Sequence, residues 1–169
     1  MLIYGASGGV GTFAIQLAKH FGAEVTGVCS TANLDLVSSL GADRVLDYTS
    51  EDGTTVGGPY DIFFDAVGSK KNSPLKLLCQ AALARSGRLL SVDAAAKVPA
   101  GYLDTLKDLI AAGKIKPVVD RVYQLPGTAD AHRYVEAGHK QLNCSLWLTE
   151  EPIAKAKRTC CRQLFPNPF

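Results

Sequence analysis

Residues 5–11 read Gly5-Ala6-Ser7-Gly8-Gly9-Val10-Gly11, directly after the apolar run Leu2 to Tyr4. Behind them Phe13, Ala14, Leu17, Ala18 and Phe21 recur at helical spacing, and Gly22 follows as a stop. A glycine loop between a strand and a helix start offers backbone N–H donors with no side chain in the way, at the positive end of the helix dipole. Those are the requirements for holding a pyrophosphate. In that role Gly8 supplies the tight turn, Gly9 the close approach of the ligand and Gly11 the tight packing of helix on strand. A glycine cluster alone is equally an ordinary flexible turn. Here the strand, loop, helix and a second strand (Glu24 to Cys29) fall within roughly the 30-residue unit that a dinucleotide-binding fingerprint requires.

The end of the second strand bears on which dinucleotide. NAD sites usually place an acidic residue there to hold the ribose hydroxyls. This chain has Cys29-Ser30-Thr31-Ala32-Asn33, neutral and rich in hydroxyls. A carboxylate would repel a 2′-phosphate, whereas hydroxyls and an amide can donate to it, so the residues favour NADP(H). The same residue types are favoured as helix N-caps, and the two roles are compatible.

Other chemistry is thin. His20, His132 and His139 fall on helices or their ends with no nucleophile to pair with and read as surface histidines. No cluster has metal-ligand spacing, and no GxSxG nucleophile elbow surrounds Ser7. Asp61 and Asp65 read as solvated carboxylates at a strand's ends. No general acid or base is identified.

The elements that must position the loop alternate along the chain. Leu34, Val37 and Leu40 line a short second helix; Arg44 to Leu46 and Tyr60 to Phe64 read as the third and fourth strands, with a surface connection over 49–59. A helix with Leu75, Leu78, Ala82 and Leu83 inward leads to a fifth strand, Arg88 to Val92. Tyr102, Leu106, Leu109 and Ile110 mark another helix, stopped by Gly113. Pro117 to Val119 reads as a sixth strand, and a last helix covers Ala129 to Ala137 before Gly138. Strands alternating with helices predict an α/β fold, a doubly wound, mainly parallel sheet. Residues 1–150 form one domain on this reading, and 151–169, with Lys155, Lys157, Arg158 and Arg162 among prolines, an irregular basic tail.

The totals agree with a soluble globular domain: 169 residues, 47% hydrophobic, 20% charged and a net charge of +2. The basic residues are scattered before the tail, which argues against nucleic acid as a partner, and no apolar run nears the roughly 20 residues that span a bilayer. No signal peptide precedes the glycine loop. Five cysteines (Cys29, Cys79, Cys144, Cys160 and Cys161) without CxxC spacing suit a reducing, cytoplasmic setting better than a disulfide framework.

At the stretches YGASGGVGTFAIQLAKHFGAEVTGVCST, LVSSLGADRVLDYT, YDIFFDAVG, LKDLIAAGKIKPVVDRVYQL and AHRYVEAGHK the chain resembles the medium-chain dehydrogenase/reductase superfamily, in its zinc-independent quinone oxidoreductase (zeta-crystallin-like) branch. The resemblance runs from Met1 to about Lys140. It implies a Rossmann fold binding NADP(H), with hydride delivery to a small quinone or enone, and it is compatible with a homodimer. It also implies places for particular residues. Ser7, Gly9 and Val10 lie along the pyrophosphate beside Gly8 and Gly11; Ser30, Thr31 and Asn33 face the 2′-phosphate; Tyr48 lies beside the adenosine. Ala66, Val67 and Gly68 approach the nicotinamide.

The chain departs from the family in three ways. Members carry a preceding GroES-like domain that walls the substrate cleft, whereas this chain starts at the first Rossmann strand, so the expected architecture has the GroES-like domain absent. Ala32 and Ser38 stand where relatives often place a basic residue. After Lys140 the usual valine-rich ending gives way to QLNCSLWLTEEPIAKAKRTCCRQLFPNPF, in which Ser145 to Leu148 can still form the strand. The expectation is therefore the cofactor-binding domain of a quinone or enone reductase, incomplete as a catalyst alone because positioning and water exclusion need the second wall. A non-catalytic dinucleotide-binding module or truncated remnant is the alternative.

Overall fold

β1 (Leu2–Tyr4) is buried along its whole length. Strands flank it on both sides, and alternation sends its side chains to two separate cores. Leu2 and Tyr4 pack with Val28, Leu46, Phe63 and Cys79, while Ile3 packs with Ala6, Ile15, Val25 and Val37. The structure, a computed structural model, describes residues 1–50, 55–68, 73–94 and 101–136, together with the backbone of Asn143–Trp147.

The chain divides into two compact units, Met1–Pro99 and Ala100–Phe169. In the first, β1, β2 (Thr26–Cys29), β3 (Arg44–Asp47), β4 (Tyr60–Asp65) and β5 (Leu83–Ser91) form one sheet in the order β3-β2-β1-β4-β5. Every pairing is parallel; Ile3, for example, lies opposite Gly27 on one side and Phe64 on the other. That order is the start of the 3-2-1-4-5-6 arrangement of dinucleotide-binding folds. Helices α1 (Gly9–His20) and α2 (Leu34–Ser39) supply Ile15 and Val37 to one core, and α3 (Pro74–Ala81) supplies Cys79 to the other. The sheet is thus doubly wound. Lys19 of α1 bonds both oxygens of Asp43 at 2.8 Å, and Asp43 also accepts the N–H of Val25 at 2.7 Å, tying the helix to the starts of β2 and β3.

In the second unit, α4 (Tyr102–Ala111) precedes a parallel pair, β6 (Val119–Gln124) and β7 (Asn143–Trp147), with α5 (Thr128–Glu136) between them in the chain. Tyr134 of α5 donates to Asp120 of β6 at 2.6 Å and receives the Arg121 guanidinium over its ring at 4.1 Å. Among the described residues no helix is long and apolar enough to cross a membrane.

Several local expectations shift. α1 turns Gly11, Thr12 and Ile15 inward, and Phe21 is 74% exposed. The rotation is set by Gly11, which must face the loop (below); Ile15 lies one turn further on the same side. In α3 the buried positions are Lys76 and Cys79, and Leu78 points outward. Leu83 belongs to β5, which starts earlier than expected and carries an irregularity opposite Tyr60 and Ile62. The sixth strand follows Pro117 rather than including it, since proline has no N–H for a ladder. His20 and His132 are exposed. Gly138, His139, Leu148, residues 51–54 of the surface connection and the tail at 151–169 lie outside the described residues.

Gly27 shows how tightly β2 is covered: a Cβ there would lie 2.6 Å from Val37 Cγ1 and 3.0 Å from Ala6 Cβ. Gly27→Ala should therefore destabilise the domain by about 1–3 kcal/mol. Urea unfolding monitored by circular dichroism reads this as a lower midpoint at an unchanged slope.

Candidate functional site

Because the first unit's sheet is wholly parallel, the C-terminal ends of β1 to β4 share one edge. The residues singled out from the sequence all follow those ends. Ser7, Gly8, Gly9, Val10 and Gly11 come after β1; Ser30, Thr31 and Asn33 after β2; Tyr48 after β3; Ala66, Val67 and Gly68 after β4. The chain leaves β1 for the helix on the Ile3 face and leaves β4 for the helix on the Leu2 face. The connections part between β1 and β4, and open parallel sheets bind their ligands in the crevice at such a switch point.

The two loops bordering the crevice touch. Gly5 has a φ of 82°, and a Cβ on it would fall 2.4 Å from Val67 Cγ2. A Cβ on Gly11 would fall 2.2 Å from the Gly5 carbonyl oxygen and 2.8 Å from Ala6 Cα. The start of α1 is therefore seated on the loop at backbone contact. Its first internal bond runs from Thr12 N–H to the Gly8 carbonyl at 3.0 Å, so the amides of Gly9, Val10 and Gly11 have no acceptor within the helix. Gly8, the N-cap, has no side chain to cover them, and no acidic residue stands in the first turn. Open amides at the positive end of a helix, with no negative charge in that turn, fit a pyrophosphate. Ser7 is half-buried beside them, and Val10 is exposed.

At the end of β2 the geometry adds a carboxylate that the sequence reading passed over. Asp47 closes β3, and its Oδ2 accepts the Thr31 hydroxyl. Its Oδ1 accepts the Thr49 hydroxyl at 2.6 Å and the Thr49 N–H at 2.8 Å, and the Thr31 N–H donates to the Thr49 hydroxyl at 3.3 Å. The Thr31 hydroxyl, followed by that of Thr49, holds the Asp47 carboxyl below its ordinary 3.8. Asn33 is buried, and its amide donates to the Ser30 hydroxyl at 2.9 Å. Neither Ser30 nor Asn33 makes a side-chain cap bond, so the helix-cap alternative is not realised here. Tyr48 is 55% exposed at the rim. Cys29, just before Ser30, is pushed up to about 11 by burial and then by Asp47.

The end of β4 corrects a second expectation. Asp61 is exposed, but Asp65 is 3% exposed and is no solvated strand end. Its Oδ2 lies 2.6 Å from Lys76 Nζ, and its Oδ1 accepts the N–H groups of Val67 and Gly68 at 3.1 Å each. A charge that deep requires a partner, and removing one member of such a pair costs about 3–5 kcal/mol. Lys76 gives no signal in the sequence, because it sits among leucines on a helix whose rotation local pattern does not determine.

An open parallel sheet with a glycine-lined crevice at its switch point defines a dinucleotide-binding domain. The chain belongs to the zinc-binding dehydrogenase family, which it matches over residues 9–114 and again over 95–141. It is 38% identical over 156 residues to an NADPH-dependent alkenal/one oxidoreductase of Arabidopsis thaliana, covering 82% of this chain and 38% of that protein. It is 34% identical over 152 residues to a 2-methylene-furan-3-one reductase of Solanum lycopersicum, covering 82% and 37%. The fold matches the quinone oxidoreductase of Coxiella burnetii with a TM-score of 0.73 at 24% identity, over 88% of this chain and 52% of that one. The chain thus spans about half, or less, of each of these proteins. Within this family it corresponds to the dinucleotide-binding domain. As for the metal in the family's name, no three His, Cys, Asp or Glu side chains among the described residues come together to hold an ion.

Depression of the Asp47 pKa has a definite sign. Its hydrogen bonds stabilise the fold above the ordinary carboxylate pKa, and that contribution is lost as pH falls through the depressed value. Thr31→Val, which removes the largest cause, should raise the Asp47 midpoint toward 3.8, as read by carboxyl-carbon NMR titration. An unchanged midpoint would show that Thr31 does not hold this carboxylate.

Proposed function

We propose that this chain binds NADP(H) across the crevice between β1 and β4, and that the protein to which it belongs delivers hydride to a small quinone or enone. The observation that carries the reading is the start of α1, with amides of Gly9, Val10 and Gly11 open to a pyrophosphate and Gly11 seated against the Gly5 carbonyl. The nicotinamide supplies the hydride chemistry, and the protein's part is to bind, orient and exclude water. Ser7 and the first turn of α1 hold the diphosphate. Ser30 and Thr31 stand at the adenosine ribose, with Asn33 positioning Ser30 and Tyr48 beside the base. Ala66, Val67 and Gly68 border the nicotinamide end. The preference for the 2′-phosphate rests on the hydroxyls of Ser30 and Thr31 at the end of β2, with the Asp47 carboxylate of the neighbouring strand working against it, and the Arabidopsis relative is named as NADPH-dependent.

Residues 1–150 act as one nucleotide-binding domain in this proposal, in keeping with family matches that together run from 9 to 141. Cys29 and Cys79 are free and buried, which suits the reducing, cytoplasmic setting proposed for the chain.

Parallel fluorescence titrations with NADPH and NADH test the cofactor assignment, and NADPH is expected to bind more tightly. Equal or tighter binding of NADH contradicts it. Asp47→Asn, which removes a negative charge beside Thr31, should improve NADPH relative to NADH by about threefold to tenfold. NADPH oxidation in the presence of a simple quinone tests the activity, and binding without turnover favours a non-catalytic module.

A further inference from the structure

We propose that Lys76 is a positioning residue for the nicotinamide half of the cofactor, acting from within the protein on the turn Ala66-Val67-Gly68. The inference rests on the dinucleotide assignment above and names a residue that touches no part of the ligand. Lys76 lies on the inner side of α3 and is 4% exposed. Lysine is almost never buried so far unless it is paired. Its Nζ donates to Asp65 at 2.6 Å and to the Gly68 carbonyl at 2.9 Å. The other carboxylate oxygen of Asp65 accepts the amides of Val67 and Gly68. One ammonium and one carboxylate therefore hold two of the amides and a carbonyl of a three-residue turn, whose third amide, that of Ala66, donates to the Tyr4 carbonyl at 2.9 Å.

The main chain of Lys76 is anchored as well. Its N–H donates to Ser73 Oγ at 3.1 Å, and Ser73 Oγ shares a 2.8 Å hydrogen bond with Tyr4 OH. Tyr4 is the last residue of β1 and Asp65 the last of β4, so Lys76 connects the two strand ends that flank the crevice. The turn has little freedom left. Gly68 has a φ of 83°, and Val67 lies against Gly5. Because the cation and the anion cancel, this pair fixes the turn without itself adding net charge there. The adenosine end, by contrast, is built on β2 and β3, on the far side of β1 from Asp65. Loosening the Lys76 anchor should therefore be felt at one end of the ligand only.

Calorimetry on the full chain tests this with two probes: NADPH, and 2′,5′-ADP, which keeps the adenosine and its 2′-phosphate but lacks the nicotinamide half. Lys76→Met and the charge-balanced double variant Asp65→Asn/Lys76→Met are compared with wild type. In a folded variant the NADPH Kd should rise about tenfold, while that of 2′,5′-ADP stays within about twofold. An unchanged NADPH affinity, or equal weakening of both probes, overturns the proposal. A wild-type chain that binds neither probe overturns the cofactor assignment itself, which is a different result. Should neither variant fold, amide NMR on wild type decides. NADPH must shift the Val67 and Gly68 signals while 2′,5′-ADP leaves them in place; identical shifts from both probes overturn the inference.

Discussion

The contact between the start of α1 and the turn after β1 is one of backbone against backbone, and most of the first unit is arranged around it. With hydrogen in place of a side chain at Gly11, the helix comes down onto the Gly5 carbonyl; a methyl group there would already collide. That seating fixes which way the helix is rotated, so Ile15 enters the core between α1 and the sheet and Phe21 is left in solvent. It also aims the helix's open amides along the sheet's C-terminal edge. Gly5 in turn leaves room for Val67, which brings the turn after β4 against the turn after β1. Two connections that run to opposite faces of the sheet are thus held in contact where a ligand would lie between them.

Asp47 and Asp65 both stand along this edge, and each is managed differently. Asp47 is near the surface, and hydroxyl and amide donors satisfy it, so it keeps its charge in water. Asp65 is inside, where water cannot help, and an ammonium does that work. The difference follows from dielectric: hydrogen bonds suffice for an exposed carboxylate, but a buried one needs an opposite charge as well. Of the two, Asp65 is neutralised by Lys76, whereas Asp47 is held by neutral donors and keeps its negative charge beside Thr31.

Much of this is legible in the amino-acid order because it is local. The glycine spacing after an apolar run, the alternation of strands and helices, and the neutral residues after the second strand each lie within one short window. The parallel sheet then gathers the residues named from separate windows onto one edge, as such a sheet must. What is not legible depends on rotation and on neighbours distant in the chain. Leu78 and Cys79 are both apolar, and only packing decides that the cysteine turns in. Asp65 looks like a solvated strand end until Lys76 is brought beneath it. Asp47 is one strand away from Thr31, and strand order is not written in any single segment.

The thiols of Cys29 and Cys79 are both driven to about 11 by burial. At neutral pH only about one such sulfur in ten thousand is a thiolate, the form that attacks electrophiles. Quinones and enones are alkylating agents toward sulfur. Against the substrates proposed above, these two cysteines are shut away and protonated, and the domain's interior would stay unmodified.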